Sequence, residues 1–276
     1  MATITRRALL VTPALLAAGS RLTAQGSVSA GQVSAGPASS NAAASTKLSA
    51  AFPTHDPDLV REVVGVSHGN IARLKELVDR QPALARASWD WGFGDWESAL
   101  GAASHVGNRE IAEYLLSKGA RPSIFSATML GQLDVVKAFV AAQPGVQKTW
   151  GPHGITLLSH ASAGGAPAKP VLEYLTALGD ANDKPALTPL TEEEMKKLSG
   201  SYAWGPGADE KFEIGIGKGV LTIIRPGRTQ RSLLHLGSYE FYPIGSFAAR
   251  FRFAETGGAW VLTLNDPDVV LTARRS

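Results

Sequence analysis

The period of the hydrophobic pattern changes once along this chain of 276 residues. Between residues 55 and 182, apolar side chains recur at intervals of three and four positions, which is the period of an amphipathic helix. After residue 199 they alternate with polar ones, as at Phe212, Ile214 and Ile216, and this alternation is typical of half-buried strands. The pattern therefore predicts a helical region followed by a β region.

The helical region repeats itself. Gly69, Gly107 and Gly131 each open a segment with similarly spaced apolar residues, and a fourth copy begins at Val171. Another short helical segment precedes each copy; these are Leu59–Ser67, Ala99–Val106, Phe125–Leu130 and Leu157–Ala163. A helix pair of this size cannot cover its own apolar face, so we expect the pairs to stack into an α-solenoid.

One of these units resembles a known family. Residues 98–120, which run from SALGAASHVG to LLSKGA, are similar to an ankyrin repeat, and Thr156–Ala161 resembles the opening of another. Ser98 and Thr156 stand where the family's threonine caps the first helix. The spacing of the repeat glycines is less regular than in the family. The resemblance covers residues 55–182 and implies a short ankyrin α-solenoid with projecting finger loops that binds a protein partner.

The β region is predicted to follow a linker, residues 183–198, in which Thr191–Glu194 forms the capping box of a short helix. Residues 199–276 contain about eight short runs separated by turns, which predicts an antiparallel meander that closes into a barrel. The layout from Leu198 to Arg275 resembles a lipocalin-like domain of the kind appended to beta-lactamase-type exported bacterial proteins. The predicted fold class is multi-domain α+β, with a short ankyrin α-solenoid followed by a small antiparallel β-barrel-like (lipocalin-like) domain.

The N-terminal residues predict export. Residues 1–24 combine charges at Arg6 and Arg7, a short apolar stretch and small residues before Gln25, as a signal peptide does. The paired arginines resemble a twin-arginine signal, and an ordinary secretory leader is the alternative. Residues 25–50, rich in serine, alanine and glycine, are predicted to form a disordered linker. We therefore expect a periplasmic or secreted protein without a membrane span, since no apolar run approaches the roughly 18–20 residues that this requires.

Charge and composition exclude several classes of function. The net charge is +3, and the predicted leader contains three arginines and no acidic residue, so the remainder is neutral (3 − 3 = 0). A neutral chain with scattered charges lacks the basic surface that binds nucleic acid, and we expect no nucleic-acid partner. The absence of cysteine excludes disulfides, thiol catalysis and zinc sites that use sulfur.

Local motifs give little support for catalysis. Gly65–Gly69 fits the Gly-x-Ser-x-Gly elbow of serine hydrolases, but the elbow needs a strand before Ser67, where the pattern predicts a helix. The six histidines include no pair at the spacing of a helical metal site. We therefore predict no catalytic residue, no metal site and no cofactor, and an exported serine hydrolase is the least favoured alternative.

An aromatic cluster provides the candidate binding residues. Trp89, Trp91, Phe93 and Trp96 lie in the long connection between the first two units, and Trp150 and His153 lie in the next finger. Exposed aromatic rings between glycines are typical of contacts that dominate binding energy. The alternative is that these rings fold back and cover the edges of a short solenoid.

These observations predict an exported, non-catalytic binding or scaffold protein whose ankyrin repeats contact a protein partner. The second hypothesis is a carrier of a small apolar ligand, with a pocket inside the β-domain. The lining of that pocket would be Phe212, Phe251, Phe253 and Trp260. The same four positions suit a filled core equally well. The identity of the partner and the oligomeric state stay open.

Overall fold

The structure is a computed structural model that describes residues 49–267 and 269–276. The predicted signal peptide, residues 1–24, and the predicted linker up to residue 48 lie outside the described residues. Within the described ranges, no helix combines the length and the apolar character that crossing a membrane requires.

Helices occupy the segments in which the sequence pattern predicts them, and they follow one another as pairs. The helices are α1 Pro57–Val66, α2 Ile71–Arg80, α3 Ala99–His105, α4 Arg109–Ser117, α5 Ile124–Met129, α6 Leu133–Ala142, α7 Leu157–Ala163 and α8 Lys169–Leu178. Single helical turns lie at Pro82–Arg86, Val146–Lys148, Pro152–Gly154 and Ala166–Ala168. Two short strands, β1 Ser88–Asp90 and β2 Trp96–Ser98, separate α2 from α3.

Polar side chains cap these helices at the predicted positions. Ser98 accepts a hydrogen bond from the backbone N–H of Gly101 at 2.9 Å, and Thr156 accepts one from that of Ser159 at 3.3 Å. Asn108 caps α4 in the same way. Each cap satisfies one of the amide groups that the first turn of a helix leaves without a partner, so local sequence fixes where these helices begin.

Gly107 shows how closely the helix pairs approach one another. Its φ is +75°, and a Cβ atom there would lie 2.1 Å from the carbonyl oxygen of Ala163, at the end of α7. Helix α3 contacts both α5 and α7, so the first helices of three successive pairs pack against each other. In a linear solenoid each unit contacts only its neighbours. The assignment of the helical region to the ankyrin family therefore stays a prediction.

The β region is a closed antiparallel barrel, as the alternating pattern predicts. Its strands are β3 Gly200–Ala203, β4 Lys211–Gly217, β5 Val220–Ile224, β6 Arg231–Gly237, β7 Glu240–Pro243, β8 Arg250–Thr256, β9 Ala259–Asp266 and β10 Val269–Arg275. Each strand pairs with the next along the chain, and β10 pairs with β3, where Arg274 lies opposite Ala203. The combination of helices with an eight-stranded barrel confirms the α+β class.

Aromatic side chains fill the barrel interior. Phe251 and Phe253 are buried, and the ring of Phe253 lies 5.5 Å from those of Tyr202 and Phe241. Trp260 is partly buried and packs against the edge of this core. Phe251 and Phe253, which the carrier hypothesis places in the lining of a pocket, are therefore part of a packed core. This is the filled arrangement that the sequence left open.

Helix α9, Glu192–Leu198, packs against the barrel end at which β3 begins. The predicted capping box is present, because Thr191 accepts a hydrogen bond from the N–H of Glu194 and the Glu194 carboxylate accepts one from the N–H of Thr191. Met195 and Leu198 are buried in the barrel core. The opposite end of the barrel faces the helical region, and the two regions form one compact unit.

Candidate functional site

The aromatic connection between the first two helix pairs folds as an antiparallel hairpin, in which Trp89 lies opposite Glu97. We refer to residues 88–98 as the finger hairpin. At its tip, Gly92, Phe93 and Gly94 have positive φ values of 116°, 59° and 77°. Glycine adopts such values without steric cost, so the two glycines favour this reversal of the chain. The hairpin ends directly at the start of α3.

The aromatic residues of the finger hairpin contact two different cores. Trp89 and Trp91 pack against the helical core. Phe93 packs against the barrel core, where its ring meets that of Phe251 edge to face at 5.3 Å. Trp96, by contrast, is 64% exposed. The hairpin thus connects the helical region to the barrel and leaves Trp96 as its exposed ring.

Trp150, in the next predicted finger, also contacts the barrel. Its ring lies 5.7 Å from that of Phe247 and 6.4 Å from that of Tyr242, and its Nε1–H donates a hydrogen bond to the carbonyl of Asp183. Both predicted fingers therefore bury much of their aromatic surface within the chain. The sequence analysis gave packing of these rings against the solenoid as the alternative to partner binding, and the contacts of Phe93 and Trp150 with the barrel differ from it.

A cavity of about 700 Å³ lies between the finger hairpin and the barrel, and we refer to it as the mouth cavity. Its aromatic lining comes from both regions and consists of Trp89, Trp91, Phe93, Trp204 and Phe212. Its charged lining consists of Arg61, Arg225, Arg228, Arg231, Asp90, Glu210 and Asp266. The volume is within the range of sites that bind small organic molecules. Phe212 is the residue of the predicted barrel pocket that lines this cavity.

Arg231 joins the mouth cavity to a buried ion pair. Its guanidinium donates to the Asp95 carboxylate of the finger hairpin and to the carbonyl of Ile244. Arg231 is only 6% exposed, and its Nε–H has no hydrogen-bond partner among the described residues. Burial alone would raise the pKa of Asp95, but hydrogen bonds from His153 and the charge of Arg231 outweigh it and lower that pKa. Asp95 is therefore an ionised group between the helical region and the barrel.

Four further side chains converge next to Asp95, and we refer to them as the histidine cluster. They are His68, from the turn after α1, Glu97, from β2, His105, at the end of α3, and His153, from the turn Pro152–Gly154. Nε2 of His105 lies 2.9 Å from Oε1 of Glu97 and 3.1 Å from Nε2 of His68. Nε2 of His153 and of His68 lie 3.4 Å and 3.6 Å from the same carboxylate oxygen.

Outer hydrogen bonds orient three members of the histidine cluster. Nδ1 of His68 lies 2.9 Å from the carbonyl oxygen of Gly65, and Nδ1 of His153 lies 2.7 Å from Oδ2 of Asp95. The Nε1–H of Trp91 donates to Oε2 of Glu97 at 2.7 Å. Because the partners of both Nδ1 atoms are acceptors, these nitrogens carry protons. The Nε2 atoms point to the centre of the cluster, where they donate to Glu97 when the imidazoles are charged and present lone pairs when the imidazoles are neutral.

The cluster stabilises negative charge on Glu97, which is fully buried. Burial alone would raise the pKa of Glu97, but hydrogen bonds from the three histidines outweigh it and bring the pKa far below its ordinary value. Burial lowers the pKa of His153, and its bonds to Asp95 and Glu97 outweigh this and raise that pKa to about 9. The hydrogen bond with Glu97 is the main cause that raises the pKa of His68. An ionised carboxylate with positive charge around it is therefore the favoured state.

Sequence reasoning singled out His153 as a contact for a partner, and the structure places it in the histidine cluster. It did not find His68, Glu97 or His105, and it predicted no metal site, because it considered spacing along the chain. A usable signal was present. His68 follows the first helix of one unit, and His105 ends the first helix of the next unit. Stacking of the units brings such equivalent positions together.

Ser67 does not have the geometry of a hydrolase nucleophile. The segment before it is α1 rather than a strand, and Ser67 is buried, with its hydroxyl donating to the carbonyl of Val63 at 2.7 Å. The Gly-x-Ser-x-Gly match is therefore a local coincidence of sequence, and the elbow on which the hydrolase alternative depended is not formed.

No protein-family model matches this sequence, and a search of curated proteins gives no match. The ankyrin and lipocalin-like resemblances therefore stay expectations. The mouth cavity and the histidine cluster are the features of the structure that bear on function.

Proposed function

We propose that this is a non-catalytic binding protein that holds a small organic anion with an aromatic body in the mouth cavity. The observation that carries the proposal is Arg231, a buried guanidinium that lines an aromatic cavity and has one N–H without an acceptor. A buried donor that makes no hydrogen bond costs about 1–3 kcal/mol. This N–H is closed to solvent, and an oxygen atom of a bound anion would satisfy it after a small movement of the Arg231 side chain towards the cavity.

The lining of the mouth cavity favours an anion over a neutral ligand. Asp90 and Glu210 already accept hydrogen bonds from the backbone N–H groups of Gly92 and Gly207. Arg228, in the turn before β6, has no ion-pair partner among the residues that the structure describes. Arg61, Arg225 and Arg231 are already paired with carboxylates, so Arg228 is the lining arginine that is most available to a ligand. A carboxylate is a group that a guanidinium binds well.

The aromatic lining favours a flat ligand. The rings of Trp204 and Phe212 lie 4.7 Å apart on the barrel side, and Trp91 and Phe93 face the cavity from the finger hairpin. Aromatic rings bind one another by stacked or edge-to-face contacts that add about 0.5–1.5 kcal/mol to the effect of burial. The carrier hypothesis drawn from the sequence was for an apolar ligand inside the barrel; the proposed ligand is instead an aromatic anion, and the proposed site is the mouth of the barrel.

Calorimetric titration of the full chain with 2-naphthoate tests this proposal, and 2-naphthalenemethanol serves as the uncharged control. We expect the anion to bind more than tenfold more tightly than the alcohol. Arg231→Lys keeps a charge opposite Asp95 but removes the free Nε–H, so it should weaken naphthoate binding and leave alcohol binding unchanged. Arg252→Lys, on the exposed side of β8, is the matched control. Equal affinities for the two probes would contradict the proposal.

A second candidate function is recognition of a protein partner, as the ankyrin resemblance implies. Val135 and Phe139 are 43% and 40% exposed and lie four residues apart on α6, so they share one face of that helix. Trp96 adds an exposed ring on the finger hairpin. Residues 1–24 support the further proposal that the protein meets this partner in the periplasm or outside the cell.

Cross-linking of the protein in its native envelope tests the second candidate. We expect Trp96→Ala combined with Phe139→Ser to lose a specific cross-linked partner that the wild type captures. Phe247→Ser, which changes an exposed ring of the barrel, is the control and should retain that partner. The same set of partners for all three proteins would count against recognition through Trp96 and Phe139.

A further inference from the structure

We propose that the histidine cluster binds a divalent first-row transition-metal ion through Nε2 of His68, His105 and His153 and Oε1 of Glu97. This site is distinct from the mouth cavity and does not depend on the proposed anion. It unites side chains from the turn after α1, the finger hairpin, the end of α3 and the connection before α7.

The distances within the cluster fit a metal ion. Bonds from zinc to histidine nitrogen or carboxylate oxygen are about 2.0–2.2 Å long, which puts neighbouring ligand atoms about 3.3 Å apart in a tetrahedron and about 3.0 Å apart in an octahedron. Four of the pairs in the cluster measure 2.9, 3.1, 3.4 and 3.6 Å. All four ligand atoms lie within 4.8 Å of one another. The side chains therefore need only small shifts to surround one ion.

The orientation of the imidazoles also fits a metal ion. The outer nitrogens of His68 and His153 face a carbonyl and a carboxylate, which is the arrangement that fixes metal-ligating histidines in proteins. It turns their Nε2 lone pairs towards Glu97. Nε2 of His68 and Nε2 of His105 are only 3.1 Å apart, so they cannot both carry a proton without repulsion, whereas one cation accepts the lone pairs of both. Trp91 holds the second oxygen of Glu97 and leaves the first one for the ion.

The donor set indicates the class of ion. Three neutral imidazoles and one carboxylate carry a charge of −1, so a divalent ion would leave the site with a net charge of only +1. Imidazole-rich sets suit zinc, copper, nickel and iron, whereas sites for calcium and magnesium are built from oxygen. The side chains of His68 and His153 are 33% and 23% exposed. An ion can therefore enter from solvent while Glu97 stays buried.

Metal titration of the full chain, after treatment with a chelator, tests this proposal. We expect one Co²⁺ ion per chain, with the visible absorption bands of cobalt bound to nitrogen, and Zn²⁺ should displace it. Glu97→Gln and His68→Gln each remove a ligand and should weaken Zn²⁺ binding by more than about 100-fold. Trp91→Phe keeps the ring but loses the bond to Glu97, so it should weaken binding by about tenfold.

The control is His55→Gln, which removes an exposed histidine outside the cluster and should bind Zn²⁺ as the wild type does. Circular dichroism of each variant without metal shows whether it is folded. His68→Gln alters the most exposed ligand, so it keeps the test valid if Glu97→Gln fails to fold. Zn²⁺ binding of equal strength in the wild type and His68→Gln would overturn the proposal. A protein that binds Zn²⁺ but not naphthoate would contradict the anion site proposed in the mouth cavity and would leave the metal site supported.

Discussion

Replacing Asp95 with asparagine tests whether a buried charge joins the helical region to the barrel. Asp95 accepts hydrogen bonds from the backbone N–H of His153 at 2.8 Å and from its Nδ1 at 2.7 Å, and it pairs with Arg231. The substitution keeps the shape of the side chain but leaves the buried guanidinium without a counter-charge. Removing one partner of such a pair costs about 3–5 kcal/mol of unfolding free energy.

Urea denaturation, followed by tryptophan fluorescence in the presence of a chelator, measures this cost. Glu240→Gln is the control, because Glu240 pairs with Arg250 and Arg252 on a more exposed face of the barrel, where about 1 kcal/mol or less is expected. Combining Asp95→Asn with Arg231→Met should cost less than the sum of the single changes, with a coupling of about 1–3 kcal/mol. A cost for Asp95→Asn no larger than that for Glu240→Gln would refute the reasoning.

Three further predictions concern the helical region. Burial lowers the pKa of His160 to about 4, so between pH 6.5 and 4 the unfolded chain takes up a proton that the folded chain does not. Stability should therefore fall by about 3 kcal/mol as the pH decreases through this window, and His160→Gln should lose that slope in urea titrations at several pH values. Gly107→Ala should lower the unfolding free energy by well over 1 kcal/mol, since its Cβ would collide with Ala163, whereas Gly145→Ala has open space and should cost only about 1 kcal/mol of backbone strain. Ser98→Ala removes a helix cap and should lower the thermal midpoint, at a cost of about 1 kcal/mol.

The helices and the barrel could be predicted because their signals are local. The caps at Ser98 and Thr156 and the capping box at Thr191 act within three residues, and the alternation along β4 and β8 is set by the pleat of each strand. The packing of the helix pairs was harder to foresee. Helix α3 contacts α7, and Gly107 approaches Ala163 closely, but neither contact changes the hydrophobic period of the sequence.

Most of the candidate site could not be predicted from the sequence, because it too depends on packing between separate elements. His68, Glu97, His105 and His153 come together only after several elements have packed, and no interval along the chain encodes that meeting. The sequence identified the aromatic cluster but did not indicate which surface each ring contacts. A ring such as Phe93 has the same sequence signature whether it faces solvent or the core of a neighbouring barrel, because the surface that covers it lies more than a hundred residues away.

Asp95 has two neighbours, one in each of the two candidate sites: Arg231 lines the mouth cavity and His153 belongs to the histidine cluster. Because both share one carboxylate, an occupant that draws His153 away or changes its charge also changes how strongly Arg231 is held. Thermodynamic reciprocity then requires that whatever factor zinc applies to the affinity for naphthoate, naphthoate applies to the affinity for zinc. The buried carboxylate of Asp95 would in this way couple the binding of zinc to the binding of naphthoate.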